Sequence, residues 1–167
     1  LITIVEEKPE YAGAIARLNR AAFDGAFEAE LVIRLHRDGL VVASLVALDD
    51  ADLVGHILFS DLTVEVDGRP VKAVALAPMA VQAEQQRQGV GGRLIQEGCA
   101  LVRQRGRGAV IVLGHPAYYP RFGFSAALAA KLRSPFTGEA FMALELEPGA
   151  LAGRAGSVHY PPAFGIV

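Results

Sequence analysis

The stretch Gln86-Arg87-Gln88-Gly89-Val90-Gly91-Gly92-Arg93-Leu94 sets three glycines between a long apolar run and a segment with helical periodicity. A chain that leaves a strand, turns on glycine and starts a helix presents several backbone N–H groups that have no carbonyl partner of their own. Such a turn holds an anion, phosphate above all, because the N–H groups point outward together and the helix dipole favours negative charge. Glycine lets the backbone take positive φ and come close to a ligand. The fold must therefore place a strand-to-helix crossover here, and its ligand is expected to be phosphorylated.

The flanks agree with a crossover. Val71 to Val81 is the longest apolar run, too continuous for a sheet with one wet face, which predicts a central strand. Pro78 lies inside it and cannot donate to a ladder, so an interruption or bulge is expected there. From Val90 to Arg105, residues Val90, Leu94, Ile95, Cys99, Leu101 and Val102 make an apolar helix face opposite Arg93, Glu97, Arg103 and Arg105. Gly106 and Gly108 end that helix, and Ala109 to Leu113 reads as a buried strand.

Upstream, the pattern predicts a strand over Leu1 to Val5 and helices over about Glu10 to Phe23 and Ala26 to Arg37. Strands follow over Leu40 to Leu48 and Leu53 to Phe59, the latter continuing through Leu62 to Val66. Asp67-Gly68 marks a hairpin turn. Downstream come a turn or short helix at His115 to Phe122, a strand over Phe141 to Leu146, and a tail. From Glu147 onward, Pro148, Gly149, Gly153, Gly156, Pro161 and Pro162 make that tail read as mostly irregular. The order predicts a mixed α/β (α+β) fold in one domain, residues 1–167, with a strand–helix–strand crossover over 71–113.

Composition narrows the classes. Apolar residues make up 52% against 20% charged, which excludes a disordered chain. The net charge of −2, with no basic block, argues against a nucleic-acid surface. Leu1 to Lys8 carries two acids where a signal peptide needs a basic start, and no apolar run approaches the roughly 20 residues of a membrane helix. The single cysteine, Cys99, excludes an internal disulfide and fits a reducing compartment, so a cytoplasmic location without membrane partners is expected. No His/Cys cluster has metal-ligand spacing, so no metal is expected. The high apolar content is compatible with a homodimer.

The two commonest nucleotide-binding readings of the glycine turn fail on its residues. A dinucleotide fingerprint needs glycine where Leu94 stands, and a P-loop needs Gly-Lys-Ser/Thr where Gly92-Arg93-Leu94 stands. A glycine-rich helix start that merely packs tightly remains open at this point. Two further features decide. The order Q-x-x-G-x-G (Gln86, Gly89, Gly91) directly follows the Pro78 strand, and Ala117-Tyr118-Tyr119-Pro120-Arg121-Phe122-Gly123-Phe124 follows the next one. Together they resemble the GNAT superfamily of N-acetyltransferases, whose acetyl-CoA site has the pattern Q/R-x-x-G-x-G/A. Tyr119, Gly123 and Phe124 meet its later Y-x-x-x-G-F motif. Leu76-Ala77-Pro78-Met79-Ala80-Val81, the tyrosine stretch and Pro161-Pro162-Ala163-Phe164-Gly165 look like one uncharacterised bacterial branch.

The resemblance implies a mostly antiparallel central sheet with a splayed parallel strand pair, flanked by helices. It implies acetyl-CoA as the acetyl donor and a primary amine of a small molecule or peptide as acceptor, attacking directly in a ternary complex. Backbone groups of Met79, Ala80 and Val81 would pair with the pantetheine arm. Gln86, Arg87, Gln88, Gly89, Val90, Gly91, Gly92 and Arg93 would surround the pyrophosphate, and Tyr118 and Phe122 would face the cofactor. Tyr119 stands at the general-acid position, where a phenol can protonate a departing thiolate without permanent charge. A backbone N–H near Val81 would receive the thioester oxygen.

The central strand has no Asp, Glu or His, where many relatives carry a glutamate; His56, Glu30 and His115 are weaker candidates for a base, and a water chain is expected instead. Phe23, Phe27, Glu28 and Glu30 are expected to border the acceptor's entry. A non-catalytic acyl-CoA-binding or sensor module is the alternative, supported by the missing strand carboxylate. A further rival is a different nucleotide-binding enzyme, one that prefers ATP or NAD to CoA.

Overall fold

The computed structural model describes residues 1–166 of the chain. Strands are β1 (Ile2–Glu6), β2 (Val41–Asp49), β3 (Asp52–Val66), β4 (Arg69–Val81), β5 (Ala109–Leu113), β6 (Leu132–Arg133), β7 (Phe141–Glu145) and β8 (Gly156–His159). Helices are α1 (Ala12–Phe23), α2 (Phe27–Arg37), α3 (Val90–Gln104) and the single turn α4 (Ala126–Ala129). By its contacts the chain forms two compact units, residues 1–60 with 77–101 and residues 61–76 with 102–167. Strands β3 and β4 and helix α3 supply residues to both.

In the first unit β1 pairs antiparallel with β2, and β2 antiparallel with β3. The two faces of β3 read alternately, as the period of two requires. Gly55 and Phe59 face α3: a Cβ on Gly55 would touch Leu94 and Val90, and the Phe59 ring fills the space beside Gly98. His56 points the other way and meets Asn19 of α1. Ile15, Leu18, Leu31, Val32 and Leu35 of α1 and α2 are buried at helical spacing, whereas Ala22 and Phe23, at the end of α1, are exposed.

In the second unit the hairpin Asp67-Gly68 has both residues at positive φ (51° and 76°), the geometry of a tight two-residue turn. Here β4 pairs parallel with β5 over three residues, Ala73↔Ala109 to Ala75↔Ile111, and β5 continues antiparallel along β7 to Leu113. Arg107 anchors the start of β5, its Nε and Nη2 donating to the Asp61 carboxylate at 3.1 and 3.0 Å. Ser125 caps α4 by accepting from the Leu128 N–H.

One expectation needs correction. Strand β4 runs unbroken through Pro78, with a cis Ala77–Pro78 peptide, instead of being interrupted or bulged there. Its ladder with β5 has already ended at Ala75, so no donor is required on that side where the proline stands. The tail from Glu147 is mostly irregular, as its Gly and Pro content predicts, but it holds one short strand that the pattern did not show. Gly156–His159 forms β8, antiparallel to Thr63–Val66 of β3 and parallel to β6. With that packing and the one-turn α4, the mixed, mostly antiparallel α/β class holds.

Candidate active site

In the first unit the chain leaves β4 at Val81, and the Gln82 N–H donates to the Val54 carbonyl at 2.8 Å. A short 3-10 turn over Ala83–Gln85 and an extended Gln86 lead to Arg87 at φ +65° and Gly89 at φ +84°. Gly89 supplies the first carbonyl of α3, accepting from the Arg93 N–H at 3.0 Å. The N–H groups of Val90, Gly91 and Gly92 therefore fall in the first turn, where a helix has no carbonyl to give them. The turn is open at Gly89, where a Cβ would meet nothing within 4 Å.

The side chains divide into those that build the turn and those that stay available. Gln86 Nε2 donates to the Val81 carbonyl at 3.0 Å and Gln88 Nε2 to the Glu84 carbonyl at 3.1 Å, so both glutamines brace the turn. Arg93 is committed too, with Nη1 donating to the Ile2 carbonyl at 2.9 Å and Nη2 lying 3.5 Å from Glu97 Oε2. Arg87 is exposed on the rim. Val90 is buried, so only its backbone faces a ligand. On β4, Ala80 is buried while Met79 and Val81 are half-buried.

In the second unit β5 ends at Leu113, and Gly114 donates to the Ala140 carbonyl at 2.9 Å. The Tyr118 and Tyr119 N–H groups both return to the His115 carbonyl, at 3.0 and 3.3 Å. A 3-10 turn over Tyr119–Phe122 then ends at Gly123, φ +95°. This folds the Tyr119 ring inward, 7% exposed, with edge contacts to Tyr118 (5.2 Å) and Phe124 (5.5 Å). Burial, reinforced by the neighbouring Tyr118, pushes the Tyr119 phenol up to about 12, so it keeps its proton at neutral pH. Tyr118 is half-buried beside Phe122, and the Arg121 guanidinium lies 4.6 Å over its ring. Burial also raises the Tyr118 phenol, with Arg121 opposing.

Two of the three candidate bases, His56 and Glu30, have other commitments. His56 is fully buried and both ring nitrogens are taken: Nδ1 faces Asn19 Nδ2 at 3.4 Å and Nε2 faces Ser44 Oγ at 3.0 Å. Because the same Asn19 amide donates to the Ile15 carbonyl at 3.0 Å, its NH2 group is the one facing the ring, and Nδ1 must accept. The Nε2 proton then goes to Ser44, whose hydroxyl donates to Glu7 Oε1, which also takes His36 Nε2 at 3.0 Å. Burial first, with the His36 charge second, lowers His56 to about 3, so it stays neutral. Glu30 lies 3.6 Å from Arg34, and His115 is exposed. Sequence reasoning missed the chain joining Glu7, Ser44, His56 and Asn19. Its signal was a serine and a histidine inside otherwise apolar strands. Cys99 is buried on α3, and burial pushes its thiol up to about 12, away from a nucleophilic thiolate.

Among the described residues no helix is long and apolar enough to cross a membrane. One unit holds a glycine turn from a strand into a helix, and the other a buried tyrosine that keeps its proton, in a mixed, mostly antiparallel α/β fold. Comparison with known proteins then names the family. The family described as acetyltransferase (GNAT) domain matches residues 6–127. The uncharacterized N-acetyltransferase YhbS of Escherichia coli K12 is 39% identical over 92% of this chain and 93% of its own length. YjhQ of the same organism, also an uncharacterized N-acetyltransferase, is 42% identical over 68% of this chain and 64% of its own. The crystal structure of E. coli YhbS in complex with CoA matches with a TM-score of 0.89 at 38% identity, covering 99% of this chain and 92% of that one. A GNAT acetyltransferase from Brucella melitensis in complex with acetyl-CoA matches with a TM-score of 0.80 at 32% identity, covering 98% of each chain. The chain belongs to the GNAT family of N-acetyltransferases.

Proposed function

We propose that this chain, as one cytoplasmic acetyltransferase domain, transfers acetyl from acetyl-CoA to a primary amine of a small molecule or peptide in a ternary complex. The residues present suit the donor: the open Gly89 turn has the shape and free N–H groups that a pyrophosphate needs. Backbone N–H groups from Gln88 to Gly92 would hold it, with Arg87 adding charge at the rim. Arg93 contributes mainly by tying the helix start to β1. Met79, Ala80 and Val81 would offer backbone groups to the pantetheine arm, and Tyr118 and Phe122 are proposed as further cofactor-binding residues. When bound, acetyl-CoA supplies the thioester carbon that the amine attacks.

Tyr119 carries the reading. Its Oη, held protonated by burial, would donate to the sulfur as the carbon–sulfur bond breaks, and the tyrosinate regains its proton from water. The amine, with an ordinary pKa near 10.4 if it resembles lysine, must shed a proton before attack. No carboxylate or imidazole on β4 takes it, and His56 has both nitrogens occupied, so water accepts it. The N–H of Val81 is the proposed donor to the thioester oxygen.

The deciding experiment incubates the purified protein with acetyl-CoA and a panel of amines and peptides, reading products by mass spectrometry. An acetylated amine, with one CoA released for each acetyl transferred, supports the reading. Tight acetyl-CoA binding without turnover on any amine would favour a sensor, and preference for ATP or NAD over CoA in titration would overturn the donor assignment.

A further inference from the structure

Gly114 is not a turn glycine in the usual sense. It is absent from the residues with positive φ, so φ does not call for glycine there. What excludes a side chain is space. A Cβ at Gly114 would lie 2.3 Å from Tyr119 Cε2, 2.7 Å from Cδ2 and 3.3 Å from Cζ, far inside contact distance. The ring lies directly on the bare backbone of Gly114, whose own N–H is fixed to the Ala140 carbonyl.

Two neighbouring rings constrain the Tyr119 ring further. Tyr118 and Phe124 meet it edge-on, with interplanar angles of 89° and 79°. A Cβ at position 114 therefore leaves the ring nowhere to go without withdrawing by about 1 Å or turning out of its niche.

We propose that Gly114 is the positioning residue for Tyr119, setting where the phenol oxygen sits by providing a floor without a side chain. This rests on Tyr119 as the acid of the proposed reaction. Displacement of a reacting group by about 1 Å costs on the order of a hundredfold in rate. Gly114 does this without touching substrate, so it affects turnover only through the ring.

The test compares G114A, Y119F and the double variant at saturating acetyl-CoA and amine. Y119F is expected to lose about a hundredfold in kcat. G114A should lose at least tenfold, with the Kd for acetyl-CoA within twofold of the parent. In the double variant the loss should match Y119F alone, because the misplaced group no longer has a proton to give. A normal kcat in G114A beside a low one in Y119F overturns the positioning role, as does a double variant whose loss is the product of the two. An unchanged kcat in Y119F overturns the acid reading instead, a separable outcome. Should G114A be too unstable to assay, G114A/Y119A removes the ring that causes the clash. A melting temperature no lower than that of Y119A alone supports the contact, and a further drop places the glycine requirement elsewhere and overturns it.

Discussion

At Gly89 the backbone turns with φ +84° and an added Cβ would meet nothing within 4 Å, whereas at Gly114 the φ is ordinary and an added Cβ would land 2.3 Å from an aromatic ring. Both glycines follow strands and both belong to the candidate machinery. The first is needed for its conformation, the second for its size. An open turn suits a ligand that arrives and leaves, because its N–H groups must be empty in the free protein. A packed corner suits a group that must not move while a proton is transferred. Tight packing is therefore a property of the seat of the proposed acid, and open geometry a property of the turn proposed to hold phosphate.

The buried titratable groups extend this contrast and give the largest expected effect. Burial raises Tyr119 and lowers His56, so each stays neutral at pH 7. His56 is lowered from 6.5 to about 3 on folding, so between those values the unfolded chain binds more protons than the folded one. Its contribution to stability is therefore fully present above pH 6.5 and is lost as the pH falls toward 3. The loss is about 4 kcal/mol over that window. Chemical denaturation from pH 7 to 4 should show it, and His56→Gln should flatten the slope. An equally steep slope in that variant would assign the acid lability to other groups.

Gly98 sharpens the comparison as a crowded glycine outside the proposed chemistry. A Cβ there would lie 2.3 Å from Phe59 Cε1, so Gly98→Ala forces α3 or the ring to shift, at about 1–3 kcal/mol. Melting should fall while kcat per folded molecule holds. A selective loss of kcat would mean that crowding alone does not distinguish the tyrosine's seat. At the open turn, Gly89→Ala strains φ by about 1–2 kcal/mol, which predicts roughly tenfold weaker acetyl-CoA binding by calorimetry. The smallest effect belongs to Arg93→Ala. It loses a backbone hydrogen bond worth about 1 kcal/mol of stability and changes acetyl-CoA affinity by less than threefold.

Much of the fold was legible because it is carried by local pattern. The apolar runs of β3, the Asp67-Gly68 hairpin and the apolar face of α3 each appear within a few residues of sequence. Strand β8 was hidden because its signal is only four residues long and its partners lie about 90 residues upstream on β3. Pro78 misled because a proline weakens a strand only where its missing N–H would have been used.

In the candidate site the glycine turn and Tyr119 were readable from motif order, while their supports were not. Nothing in the sequence connects Gly114 to a ring five positions on, because the contact depends on the turn at His115. The buried polar chain is similarly scattered, drawing on Asn19, Ser44 and His56 from three elements and on Glu7 just after β1. The same chain shows why a histidine inside an apolar strand is a poor guide to catalysis. Its two nitrogens were spent on holding α1 and β2 to β3.

The sharpest test of holding against reacting is a side-by-side measurement of acetyl-CoA Kd and saturated kcat in Gly89→Ala and Tyr119→Phe. The expected pattern is crossed: about tenfold weaker binding with kcat retained in the first, and about a hundredfold lower kcat with binding retained in the second. Both variants changing the same parameter, or Tyr119→Phe turning over at the parent rate, would contradict the division of labour on which the proposed mechanism stands.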